Sequence, residues 1–213
     1  MTQVKICGVK TPEAISAAAS AGARFIGFVF APRSPRLLAA EQAAILVRGV
    51  PTGVKIVGLF VNPTDEDLAF IWGRVPIDMI QLHGDETPAR VLDIKARLGV
   101  PIIKAIPVAS PHDLDSVPSY EQVADWLLFD AKAAPSKQAE GGNGLAFDWG
   151  LLAGQKFQKP WMLAGGLHPE NIITALSILN PDAVDVSSGV ESSVGIKDPA
   201  KIKAFISLVK SRE

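Results

Sequence analysis

The sequence has little of what stapled or metal-built proteins rely on: one cysteine and three histidines in 213 residues. A single cysteine closes no internal disulfide, and with histidines scattered at 83, 112 and 168 it builds no cysteine-rich metal site. Neither metal nor other cofactor is expected. Charge of one sign is lacking too: Lys+Arg 21 against Asp+Glu 22 leaves a formal net charge of -1, and like charges are not gathered into blocks. Nucleic acid is therefore not an expected partner. An anionic small molecule stays open, because capture of one phosphate depends on local backbone N–H groups rather than on overall charge. No apolar run reaches the ~18 residues of a membrane span, and the N-terminus, MTQVKICGVK, has no basic region followed by a long apolar stretch. A cytoplasmic chain without membrane contact is the expectation.

What is present is material for a full core, with 48% hydrophobic residues against 20% charged. Short β-like runs recur at 4–7, 25–30, 54–60, 79–82, 102–106, 126–130, 161–164 and 183–186. Helical periods fill 12–21, 40–47, 65–72, 87–98, 169–179 and 199–209, with weaker patterns between 106 and 126 and between 148 and 161. Thr11-Pro12-Glu13, Thr64-Asp65-Glu66, Thr87-Pro88 and Asp198-Pro199 each place a capping residue before proline or acidic residues. This alternation runs without a linker, which predicts residues 1–213 as one domain, a single-domain (β/α)8 TIM barrel of the α/β class. An open doubly wound sheet would show a GxGxxG turn after the first strand, where this chain reads Cys7-Gly8-Val9. In a barrel the chemistry belongs at the C-terminal ends of the strands.

Side chains alternate across a strand, so Lys5 and Cys7 share the inward face while Val4 and Ile6 face the helices. Cys7 reads as core packing or as a reagent; an ammonium two residues away would favour its thiolate. Asp130 ends the sixth strand and reads as a turn cap, a partner of Lys132, or a second proton-transfer group beside Cys7. Gln81 and His83 point inward at the end of the fourth strand and suit hydrogen bonding to a ligand or to the site. The glycine-rich stretch Glu140-Gly141-Gly142-Asn143-Gly144 offers Gly142 and Gly144 as points of close backbone approach, or simply a turn. Small-residue turns follow strands seven and eight, at Gly165-Gly166 and Ser187-Ser188, the positions where barrels often bind phosphate.

The strings Val4-Lys5-Ile6-Cys7-Gly8, Gly27-Phe28-Val29-Phe30, Ser34-Pro35-Arg36, Gln81-Leu82-His83-Gly84, Leu128-Phe129-Asp130, Gly141-Gly142-Asn143-Gly144, Phe147-Asp148-Trp149, Ala164-Gly165-Gly166-Leu167 and Val184-Asp185-Val186-Ser187-Ser188-Gly189-Val190-Glu191 resemble, in order, the phosphoribosylanthranilate isomerases of tryptophan biosynthesis. Their ordered combination spans nearly the whole chain. The resemblance implies an Amadori rearrangement of phosphoribosylanthranilate without metal or organic cofactor, with Asp130 as general acid and Cys7 as general base. It also implies that Arg36 holds the anthranilate end, where a guanidinium fork suits a carboxylate, and that Gly165, Gly166, Ser187 and Ser188 supply the phosphate site. Leu37 departs from the aromatic residue often found after this arginine. Lys5 is expected to lower the Cys7 thiol, and Asp185, inward by alternation with Ser187, to bond a sugar hydroxyl or to pair with Lys5.

Two other readings compete. A sugar-phosphate epimerase would call for histidine and acidic metal ligands at strand ends, which this chain lacks. A catalytically silent, metabolite-binding barrel would need neither Cys7 nor Asp130. A monomer and a homodimer are both compatible with the sequence.

Overall fold

A computed structural model describes residues 1–131 and 148–212. Eight parallel strands close into a barrel in chain order: β1 (Gln3–Cys7), β2 (Phe25–Val29), β3 (Lys55–Phe60), β4 (Met79–Leu82), β5 (Ile102–Val108), β6 (Trp126–Ala131), β7 (Trp161–Leu163) and β8 (Ala183–Val186). Between and after them lie α1 (Pro12–Ala21), α2 (Ala40–Val47), α3 (Asp65–Trp72), α4 (Pro88–Leu98), α5 (Val117–Glu121), α6 (Ile172–Ile178) and α7 (Pro199–Lys210). The fold is the (β/α)8 barrel that the alternation predicts. Among the described residues no helix is long and apolar enough to cross a membrane.

The helix starts follow from their caps. Thr11, Thr64 and Thr87 each accept a backbone N–H through the side chain, and Asp198 accepts two at the start of α7. Three segments differ from expectation. The stretch between β5 and β6 splits into a 3-10 turn (Pro111–Leu114) and the short α5, and the one before β7 keeps only a 3-10 turn (Trp149–Leu152). The helix expected from residue 169 begins at Ile172, because Asn171 holds a turn ahead of it: its Oδ1 accepts from His168 N–H and its Nδ2 donates to the Gly166 carbonyl. A hairpin after β8, β9 (Glu191–Ser193) with β10 (Ile196–Lys197), was not foreseen; its strands are too short for periodicity to register.

Strand alternation sorts the core into two shells. Val4, Ile6, Ile80, Leu82, Leu127, Phe129, Val184 and Val186 pack outward against the helices. Phe25, Val57, Met79, Ile103, Leu128 and Met162 fill the barrel's interior, and Cys7, Val29, Ala31 and Leu59 form a separate cluster. One buried ion pair stands among the outward residues: Lys104 Nζ lies 2.8 Å from Glu86 Oε2 and also donates to the Leu82 and Gly84 carbonyls. Glu86 in turn accepts from the Asn62 and Gly84 backbone N–H groups. This network fixes the loops after β3 and β4, and with them the exit of His83.

Candidate active site

The parallel register sets the first and last strands side by side, with Lys5 opposite Asp185. Their side chains meet as a buried ion pair, Lys5 Nζ to Asp185 Oδ1 at 3.0 Å. Burial pushes the Lys5 ammonium down, but Asp185 and Cys7 together outweigh it and hold it above the ordinary lysine value. Lys5 is therefore charged, as expected.

Lys5 pulls the Cys7 thiol down, as expected, but does not decide where it stands. The Cys7 thiol stands above its ordinary value, not below: burial is the largest influence and raises it, Lys5 and Lys197 pull it down, and Asp185 adds to the upward push. Desolvation, which alternation along a strand does not reveal, outweighs the ammonium, and the Asp185 carboxylate paired with Lys5 offsets it further. Gly27 makes the arrangement possible, since a Cβ there would lie 3.1 Å from Cys7 Sγ and 3.3 Å from Lys5 Nζ.

Asp130, next to last in β6, lies on the inward face and is only 18% exposed. Its Oδ1 accepts from Ala131 N–H at 2.8 Å and its Oδ2 lies 3.2 Å from His83 Nε2. Gln81, fully buried, reaches His83 Nδ1 from below through its Nε2 at 2.9 Å. Cys7, Arg36, Gln81, His83, Asp130, Asp185 and Ser187 line one pocket at the C-terminal end of the barrel.

Arg36 comes from the loop after β2, and its fork is already engaged: Nε and Nη2 bond the two oxygens of Glu191 at 2.7 and 2.9 Å. Among the described residues Nη1 has no hydrogen-bond partner. Gly8, at φ 77, lets the arginine lie across the end of β1, since a Cβ there would come within 2.6 Å of Arg36 Cδ. Leu37, beside it, is 42% exposed.

Around β7 and β8, Gly165 and Gly166 adopt φ of 85 and 64, conformations that favour glycine. Ser187 Oγ donates to the Cys7 carbonyl, and Ser188 opens a 3-10 turn. Among the described residues none accepts from the backbone N–H groups of Gly166, Ser188 or Gly189. Gly142 and Gly144 lie outside the described residues. Lys197 was missed altogether: it is buried, its Nζ lies 2.6 Å from Glu191 Oε1, and it also donates to the Ser187 carbonyl and hydroxyl. Nothing in the sequence marks it, since it stands at the end of a two-residue strand. Among the described residues no group of histidine, cysteine and acidic side chains is placed to hold a metal ion.

The model of the N-(5'phosphoribosyl)anthranilate (PRA) isomerase family matches residues 4–208. The N-(5'-phosphoribosyl)anthranilate isomerase of Paracoccus denitrificans is 55% identical over 203 residues, covering 95% of this chain and 94% of the relative. The crystal structure of phosphoribosyl anthranilate isomerase from Thermotoga maritima superposes with a TM-score of 0.89 at 35% identity, covering 99% of this chain and 100% of the other. A phosphoribosyl anthranilate isomerase solved in complex with reduced 1-(o-carboxyphenylamino)-1-deoxyribulose 5-phosphate gives 0.86 at 34% identity, with 99% and 100% covered. The chain belongs to the N-(5'-phosphoribosyl)anthranilate isomerase family.

Proposed function

We propose that this chain carries out the Amadori rearrangement of N-(5-phosphoribosyl)anthranilate to 1-(2-carboxyphenylamino)-1-deoxyribulose 5-phosphate in tryptophan biosynthesis, as a cytoplasmic, single-domain aldose-ketose isomerase. The observation that carries the reading is the meeting of Cys7 and Asp130 in one pocket at the C-terminal end of the barrel. Asp130, holding a proton, gives it to the ribose ring oxygen, and the ring opens to an iminium. Cys7, as thiolate, takes the proton from C2 to leave an enolamine.

The remaining residues bind. Arg36 offers Nη1 to the anthranilate carboxylate while Glu191 fixes its fork. The N–H groups around Gly165, Gly166, Ser187 and Ser188 take the phosphate, which their lack of acceptors among the described residues supports. Asp185 serves chiefly by pairing with Lys5, and Lys5 by balancing charge beneath Cys7. Gly142 and Gly144 complete the substrate contacts in this reading. The chemistry needs neither metal nor organic cofactor, no nucleic acid or membrane takes part, and a monomer or a homodimer would serve equally.

The test supplies phosphoribosylanthranilate and follows the loss of its fluorescence. Wild type should turn it over, and Cys7→Ser and Asp130→Asn should each lose about two or more orders of magnitude in kcat. A wild-type chain that binds phosphate and leaves the fluorescence unchanged would instead support the silent barrel.

A further inference from the structure

Gln81 is wholly buried, and while its Nε2 reaches His83 Nδ1, its Oε1 has no partner among the described residues. Two orientations of the amide compete. With the NH2 towards Nδ1, one buried carbonyl oxygen goes without a donor and one amide proton without an acceptor. With the oxygen towards an Nδ1–H, the NH2 loses its acceptor, and both of its protons are buried unpaired. Orphaned N–H groups are rarer in protein interiors than under-satisfied carbonyls. The orientation seen is the less costly one.

We infer that Gln81 is a positioning residue for the isomerisation: by donating to Nδ1 it holds His83 as the Nε2–H tautomer, so that the mobile proton of the site is carried by Asp130. The hydrogen bond on one ring nitrogen fixes what the other does. With Nδ1 accepting, Nε2–H donates to Asp130 Oδ2 across the 3.2 Å contact, while Ala131 N–H holds Oδ1. Both oxygens are then held in place, and the carboxyl group cannot rotate freely. A second proton on the ring would point at the Gln81 amide N–H, so an imidazolium–carboxylate pair is disfavoured. A neutral ring in this tautomer has no proton to give without becoming an anion. The proton delivered to substrate therefore resides on the carboxyl oxygen lone pairs left free by Ala131 and His83, on the pocket side.

This inference rests on Asp130 being the acid, and two kinds of measurement separate the claims. Ring-nitrogen NMR of the full chain labelled with 15N-histidine reads the tautomer without reference to activity, with His83→Asn identifying its signals among three histidines. The expected spectrum shows His83 protonated at Nε2 and bare at Nδ1. Gln81→Glu replaces the donor with an acceptor and should place a proton on Nδ1, lowering kcat about tenfold or more while KM changes far less. Gln81→Met, similar in bulk and without a donor, should leave a mixture of tautomers and an intermediate kcat, and it stands in should the buried glutamate fail to fold. A wild-type spectrum with the proton on Nδ1 overturns the inference, as does a folded Gln81→Glu with unchanged tautomer and kcat. Full turnover by Asp130→Asn would remove the acid reading, and the placement of the proton with it, whatever the tautomer.

Discussion

At the scale of single residues, Cys7 is held between opposing influences: burial and Asp185 raise its thiol, Lys5 and Lys197 lower it. Lys5→Met should therefore move the thiol titration further upward, read by ultraviolet absorbance of the thiolate. Adding Asp185→Asn should bring it part of the way back, because an unpaired carboxylate beside the sulfur goes with it. An unchanged titration in Lys5→Met would remove Lys5 from any part in tuning the base. Gly165→Ala offers a second probe, since a Cβ there would sit 2.5 Å from the Ala131 nitrogen and 3.0 Å from Asp130 Oδ1 at a positive φ. It should cost about 1–3 kcal/mol of stability in urea titration and lower kcat through a displaced Asp130. The facing of these side chains was legible, because a period of two puts Lys5, Cys7, Gln81, His83, Asp130 and Asp185 inward. Their electrostatic balance was not, because it depends on desolvation, which a string of residues does not display.

At the scale of elements, the strands and capped helices were readable from periodicity and from threonine and aspartate start signals, whereas the β9–β10 hairpin was not. Glu191 was named only as the last residue of a motif, yet it joins Arg36, Lys197 and the Gly195 N–H, and so ties the loop after β2 to the segment after β8. Its two cationic partners, Arg36 and Lys197, lie 155 residues back and 6 residues on, and no single helix or strand brings either against it. Burial pushes the Glu191 carboxyl up, but hydrogen bonds from Arg36 and Lys197 outweigh it and hold the group below the ordinary carboxylate value. A folded value below the unfolded one means that ionised Glu191 stabilises the fold. That contribution is complete above the ordinary glutamate value of about 4.3 and is lost as pH falls through the depressed one. Glu191→Gln should destabilise the chain at neutral pH by roughly 3 kcal/mol, since it leaves two buried cations short of a counter-charge. Its stability should also fall less steeply in acid than that of wild type, as measured by urea unfolding at a series of pH values.

At the scale of the whole molecule, the barrel is closed by contacts between regions remote in sequence. β1 pairs with β8, Thr2 Oγ1 donates to the Pro181 carbonyl, and Lys210 Nζ donates to the Ala21 carbonyl. Helix α7 adds Ile202, Phe205, Ile206 and Val209 to the core, all of them buried. Phe205→Ala should cost about 4 kcal/mol in urea unfolding, the scale for an aromatic ring removed from a packed interior. The number of strands and the closure followed from uninterrupted alternation. The seam between first and last strand carries a further consequence. Lys5 and Asp185 stand 180 positions apart, and Ser187 reaches the Cys7 carbonyl across the same distance. During translation the cysteine precedes Asp185 and Ser187 by some 180 residues, so a nascent chain short of β8 lacks one wall of its own pocket. Turnover should therefore begin only once β8 has closed against β1 and supplied that wall.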